Sequence, residues 1–172
     1  MGLGMLPGSG ALAQDEVIIG VLSHRGDAVT LAAWGPTAEY LTSHLPEHRF
    51  RIKPLDFDEV DPAIGTESVD FLLANPGIYV SMEARYGVAR IATMNNRRSD
   101  DGRYNLFGGV VFTRADRTDL QTLEDLHGSR FVAVHPISLG GYQMSLREFH
   151  ARGIDPRRDF KVLDFLEVHD IV

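Results

Sequence analysis

The run Val17-Ile18-Ile19-Gly20-Val21-Leu22 is apolar without interruption and ends abruptly in the polar turn Ser23-His24-Arg25-Gly26-Asp27. A strand with one wet face would alternate polar and apolar residues. An unbroken, β-branched run suits a strand covered on both faces, which is how parallel sheets are built. Such a strand needs a layer on each side, and its parallel neighbours need crossover helices to reach them.

The following segments supply those parts. Residues 28–45 have helical spacing, with Leu31, Trp34, Ala38, Leu41 and Leu45 on one side. Phe50 to Leu55 reads as a second strand, Asp58 to Ile64 as a short helix capped by Asp58, and Val69 to Ala74 as a third strand. Pro76 to Tyr86 reads as a helix entered through Asn75, with proline in its first turn. The alternation predicts a doubly wound, mainly parallel α/β sheet. Ala89 to Met94 and Gly109 to Thr113 read as two further strands around a polar loop that starts at Arg97-Arg98.

A second cycle then begins. Leu120 to Leu126 is expected to be helical, Arg130 to Val134 a strand, Leu139 to Arg152 a helix and Phe160 to Glu167 a strand. We therefore expect a first α/β lobe over 16–116 and a second, incomplete one over 117–172. Two strands make a marginal sheet alone, so the chain is expected to be a piece of a longer protein. A closed homodimer is the alternative route to completion. Residues 1–15 are expected to be a disordered tail. They end near Ala11-Leu12-Ala13-Gln14, an A-x-A pattern that fits a trimmed export signal or a cloning remnant.

Composition narrows the function classes. The formal charge is -7 and the basic residues are scattered, so nucleic acid is not an expected partner. With no cysteine, disulfide frameworks, thiolate metal sites and cysteine nucleophiles are excluded. His44 and His48 stand four apart, but Pro46 between them breaks the helix a metal pair would need. No nucleophile elbow, phosphate-binding loop or dinucleotide fingerprint occurs. Neither metal, cofactor nor catalysis is expected.

Ligands of open α/β sheets bind beyond the carboxyl ends of the strands, where helix N-termini point. Three such junctions stand out: Ser23-His24-Arg25-Gly26, Asn75-Pro76-Gly77-Ile78-Tyr79, and His135-Pro136-Ile137-Ser138-Leu139-Gly140-Gly141-Tyr142. Each offers unpaired backbone N–H groups beside small residues, which suits an anion. Ordinary helix capping by Asn75 and Ser138 is the competing reading, and the two roles are compatible.

These junctions also carry a resemblance. Ile19-Gly20-Val21-Leu22 with Arg25, Trp34-Gly35-Pro36-Thr37-Ala38-Glu39-Tyr40-Leu41, Pro54-Leu55-Asp56-Phe57 and Asn75-Pro76-Gly77 with Tyr79 resemble phosphonate-binding-like domains of the type II periplasmic binding-protein class. Arg90-Ile91-Ala92-Thr93, Phe107-Gly108-Gly109-Val110, Ser138-Leu139-Gly140-Gly141, Gly153-Ile154-Asp155-Pro156 and His169-Asp170 continue it. The resemblance is to input domains of sensor histidine kinases of the tetrathionate-sensing kind, and more distantly to phosphate and phosphonate importer proteins. It implies a periplasmic, two-lobed clamp around a small oxyanion, with a membrane-spanning kinase segment elsewhere in the parent chain. A free-standing solute-binding protein is the alternative. The ligand-facing positions it implies are Arg25, Asn75, Tyr79, Ser138 and His169.

Overall fold

The computed structural model describes residues 15–97 and 102–166. Its centre is β1 (Asp15–Leu22), flanked by β2 (His48–Leu55) and β3 (Phe71–Leu73) in the order β2-β1-β3, all parallel. β1 and β2 pair along their whole length, from Asp15 opposite His48 to Leu22 opposite Leu55. β3 pairs only from Phe71 to Leu73. Asp70 extends that hold: its N–H donates to the Ile18 carbonyl, and its carboxylate accepts from the Ile18 N–H at 2.7 Å.

Both faces are covered, as the unbroken run of β1 requires. α1 (Asp27–His44) lies on one, where Val21, Ala38 and Ile52 pack with Ile19, Trp34, Phe50 and Leu73. α2 (Val60–Gly65) and α3 (Pro76–Tyr86) lie on the other. There Leu22, Leu55, Phe57, Val60, Ala63, Val69, Ile78 and Met82 form the largest core. The sheet is doubly wound, as expected.

Residues Asn96–Arg97 and Arg103–Tyr104 form a short antiparallel pair, β4 and β5. The second sheet pairs β6 (Arg130–Ala133) with β7 (Val162–Phe165), also in parallel. Between them lie a turn of π-helix (Leu139–Gln143), α4 (Met144–Ala151) and the single turn α5 (Pro156–Asp159). Phe131, Phe149 and Phe160 meet with centroids 5.2–5.4 Å apart, two of the three contacts edge-to-face. This is the favoured aromatic geometry, and with Leu126 and Ile154 it gives the small sheet its own core.

Several expectations need correction. Ala89–Met94 and Gly109–Thr113 are not strands in the structure. Their apolar character suggested pairing, yet no strand among the described residues runs beside them, and Ile91, Val110 and Phe112 remain more than 70% exposed. A strand needs a ladder partner as well as propensity. The helix expected at Leu120–Leu126 is a single 3-10 turn at Glu124–Leu126. On α1 the inward row is Thr30, Trp34 and Ala38, while Leu31 and Leu45 face outward. The expected helix cap Asp58 does not cap. Asp56 accepts from the Asp58 and Glu59 N–H groups, and Glu59 returns a bond to the Asp56 N–H. That reciprocal D-x-x-E arrangement is a capping box one turn earlier.

α5 illustrates how charge secures the second sheet. Asp155 caps it by accepting from the Arg157 N–H, and Asp159 accepts from the Asp155 N–H at 2.8 Å. The Arg158 guanidinium beside Asp159, together with that backbone donor, holds the Asp159 carboxyl down to about 2. A carboxyl depressed on folding stabilises the protein above its ordinary value of 3.8 and loses that contribution as pH falls towards the folded value. Asp159→Asn should therefore melt below the wild type at neutral pH. The gap should narrow between roughly pH 4 and 2, a window set by the two values, as followed by circular dichroism melts.

Candidate functional site

The carboxyl ends of β1, β2, β3 and β6 converge, and the loops beyond them build the junction between the sheets. α3 starts there. The Asn75 side chain accepts from the Ile78 N–H at 3.1 Å, and the Asn75 carbonyl from the Tyr79 N–H. Pro76 has no N–H to satisfy, so Gly77 carries the one first-turn N–H without a partner among the described residues.

The second start is built alike. Ser138 is 2% exposed, and its hydroxyl accepts from the Gly141 N–H at 3.2 Å. Its carbonyl accepts from both Tyr142 and Gln143, which widens the first turn into a π-turn. The Leu139 and Gly140 N–H groups have no partner among the described residues. Asn75 and Ser138 are therefore both caps, and each still leaves backbone donors at a positive helix end.

The two starts face each other at contact distance. A Cβ placed on Gly77 would lie 2.7 Å from the Gln143 side-chain oxygen and 3.2 Å from the Leu139 Cβ. Phe107 and Gly109 cross the second start: a Cβ on Gly109 would lie 2.7 Å from the Gly140 carbonyl oxygen, and one on Gly140 would lie 3.0 Å from the Phe107 ring. Val134, just past β6, is buried in the core of the first sheet, with Ile137 packed against it. Among the described residues the sheets share no ladder, but they do share this core.

The reading from the residues missed three contributors. The His135 ring stacks on Phe57 with centroids 4.6 Å apart and planes 6° from parallel. Its Nδ1 accepts from the Ile137 N–H at 3.3 Å, which leaves the proton on Nε2, 3.5 Å from an Asp58 carboxylate oxygen. Gln143 faces Gly77 from the opposite bank. One signal was available: Phe57 and His135 each follow the carboxyl end of a strand, just where Arg25 and Asn75 do.

The remaining expected site residues are less tightly gathered. Arg25 lies exposed beyond β1, in a turn secured by Ser23 Oγ donating to Asp27 and by Thr30 Oγ1 donating to the Gly26 carbonyl. It shares the carboxyl edge of the sheet with Asn75. The Tyr79 hydroxyl donates to Glu83 on its own helix, and this contact raises the phenol above its ordinary value. His169 and Arg98 lie outside the described residues. His44 donates from Nδ1 to the Tyr40 carbonyl and stacks on the Tyr40 ring. Among the described residues no cluster of His, Asp and Glu could hold a metal ion, and no helix is long and apolar enough to cross a membrane. A groove of about 410 Å³ between α1 and β2 is lined by Ala38, Glu39, Thr42, Ser43, Arg49 and Phe50, away from both helix starts.

Comparison with known proteins gives three findings. Residues 19–172 match the family model of the periplasmic substrate-binding proteins of phosphonate ABC transporters. The tetrathionate sensor histidine kinase TtrS of Salmonella typhimurium is 32% identical over 142 residues, covering 83% of this chain and 24% of the kinase. A binding-protein component of an ABC phosphonate transporter from Pseudomonas aeruginosa superposes with a TM-score of 0.69 at 15% identity, over 92% of this chain and 52% of that one. The chain thus spans about a quarter of the curated relative and half of the solved structure.

The packing of the junction is open to test by adding one methyl group at a time. Gly141→Ala would press its Cβ to 2.6 Å from Val134 Cγ2 and 2.7 Å from Ser138 Oγ, neither of which can swing away. A loss of about 1–3 kcal/mol is expected from such overpacking. At Gly77→Ala the nearest atom ends the rotatable Gln143 side chain, so the loss should be under half as large. Ser138→Ala should cost about 1 kcal/mol for the missing cap. Chemical denaturation of the three variants measures all of these.

Proposed function

This chain belongs to the family of periplasmic substrate-binding proteins of phosphonate ABC transporters, and from that premise we propose that it is the ligand-binding input domain of a membrane-anchored sensor histidine kinase. The supporting observation is the identity with a sensor kinase along most of this chain, which exceeds that with the transporter protein of known structure. In this reading the domain lies in the periplasm. It binds a small oxyanion without turning it over, and passes the change in sheet spacing to a kinase segment elsewhere in the parent protein. A first lobe over 16–116 and a second over 117–172 form the two sides of the clamp.

The oxyanion class rests on the facing helix starts. Gly77, Leu139 and Gly140 offer three backbone donors at two positive helix ends, and glycine at two of these positions permits close approach. Arg25 would add a guanidinium able to bind an oxyanion through two hydrogen bonds. Tyr79 would wall the pocket from α3, and His169 would reach it from beyond β7. The family description favours a second reading, a free-standing solute-binding protein that serves an importer. The gene context of the parent protein separates the two.

A thermal-shift screen of the complete periplasmic domain against tetrathionate, sulfate, phosphate and methylphosphonate tests the proposal. A ligand at a hundredfold excess over its dissociation constant adds about 2.7 kcal/mol of apparent stability, and at least one of these oxyanions should do so. Arg25→Ala should weaken the binding of that oxyanion about tenfold or more, as loss of a charge-assisted hydrogen bond implies. Silence towards every oxyanion, or unchanged affinity in both Arg25→Ala and Ser138→Ala, would sink the site.

A further inference from the structure

We propose that Phe57 and His135 form a latch between the two sheets, which must part before a ligand can enter between the helix starts. The inference rests on the cleft reading above and adds a directional contact to the apolar burial that holds the sheets together.

Phe57 follows β2 and is 4% exposed within the core of the first sheet. His135 follows β6 and lies flat on it. The imidazole is fixed from behind by its own turn. Its Nδ1 accepts the Ile137 N–H, and its carbonyl accepts the Ser138 N–H at 2.9 Å. The ring and the Ser138 start thus belong to one hydrogen-bonded turn. Gly77 already touches Gln143 and Leu139 at this spacing, so a ligand between the starts requires the sheets to separate, and separation requires the stack to break. The Asp58 carboxylate at 3.5 Å is 81% exposed. A polar contact so wet and so long contributes little, so the stack is the latch and the Asp58 contact is an accessory.

Energy spent on opening lowers apparent affinity in proportion to the fraction of open molecules. A looser latch should therefore admit ligand more readily, at the expense of rigidity across the junction.

Amide hydrogen exchange on this chain tests the latch without any ligand, so its failure is distinct from failure of the oxyanion reading. His135→Ala should speed exchange about tenfold, the scale of a lost aromatic stack with its burial. The effect should fall on both banks, at Ile78 of α3 and Gly141 of the second start, and spare Ile154 in the second core and Ile52 in β2. His135→Gln, which keeps polar reach without a ring, should behave like alanine. His135→Phe should restore slow exchange, and Asp58→Asn should stay within about twofold of the wild type. Acceleration at Gly141 alone would reduce His135 to a prop for its own turn and overturn the proposal. Equal acceleration everywhere, no acceleration anywhere, or a His135→Phe variant as fast as alanine would overturn it too.

Discussion

Val134 and Ile137 leave the end of one sheet and lodge in the core of the other, beside Leu22, Leu55, Phe57 and Ile78. Among the described residues no backbone ladder joins the two sheets, so apolar burial sets their spacing there. Burial is non-directional and grows with area. An interface of this kind can therefore hinge at small loss, whereas a continuous ladder would have to break bond by bond. The directional contacts are concentrated at one place, where a flat ring pair and two facing helix starts meet.

That placement follows from parallel topology. Each strand of the first sheet ends at the same edge, so each following loop delivers its residues there: Arg25 after β1, Phe57 and Asp58 after β2, Asn75 after β3. β6 of the second sheet delivers His135 and Ser138 to the same region. Phe57 and His135 meet although far apart in the chain because strand direction is shared, and the caps that close the helix starts also align their free donors.

Much of this was legible in the residues. The unbroken run of β1 required cover on both faces, and the turn-helix signals at Asn75-Pro76 and Ser138 placed both starts. What stayed hidden depended on partners distant in the chain. Ile91, Val110 and Phe112 have strand character, yet pairing is decided by whether another strand runs alongside. Asp58 looked like a cap, but Asp56 three residues before Glu59 closes the box instead and frees Asp58 to face His135. The π-turn arises because one carbonyl, that of Ser138, receives two N–H groups. No spacing rule reports that. In the sequence His135 reads only as the first residue of a candidate junction, since nothing local foretells a ring lying flat across a sheet boundary.

The unequal ladders of the first sheet carry a mechanical consequence. β2 is zipped to β1 over its full length, whereas β3 is held by three paired positions and the Asp70 contacts. The bank that bears Phe57 is therefore stiff, and the bank that bears Asn75 is compliant. If the sheets part as proposed, strain should collect in β3 and α3, so that one wall acts as an anvil and the other as a reed. A domain that reports occupancy by deforming would then transmit its displacement through α3, the helix that follows the shorter ladder of the first sheet.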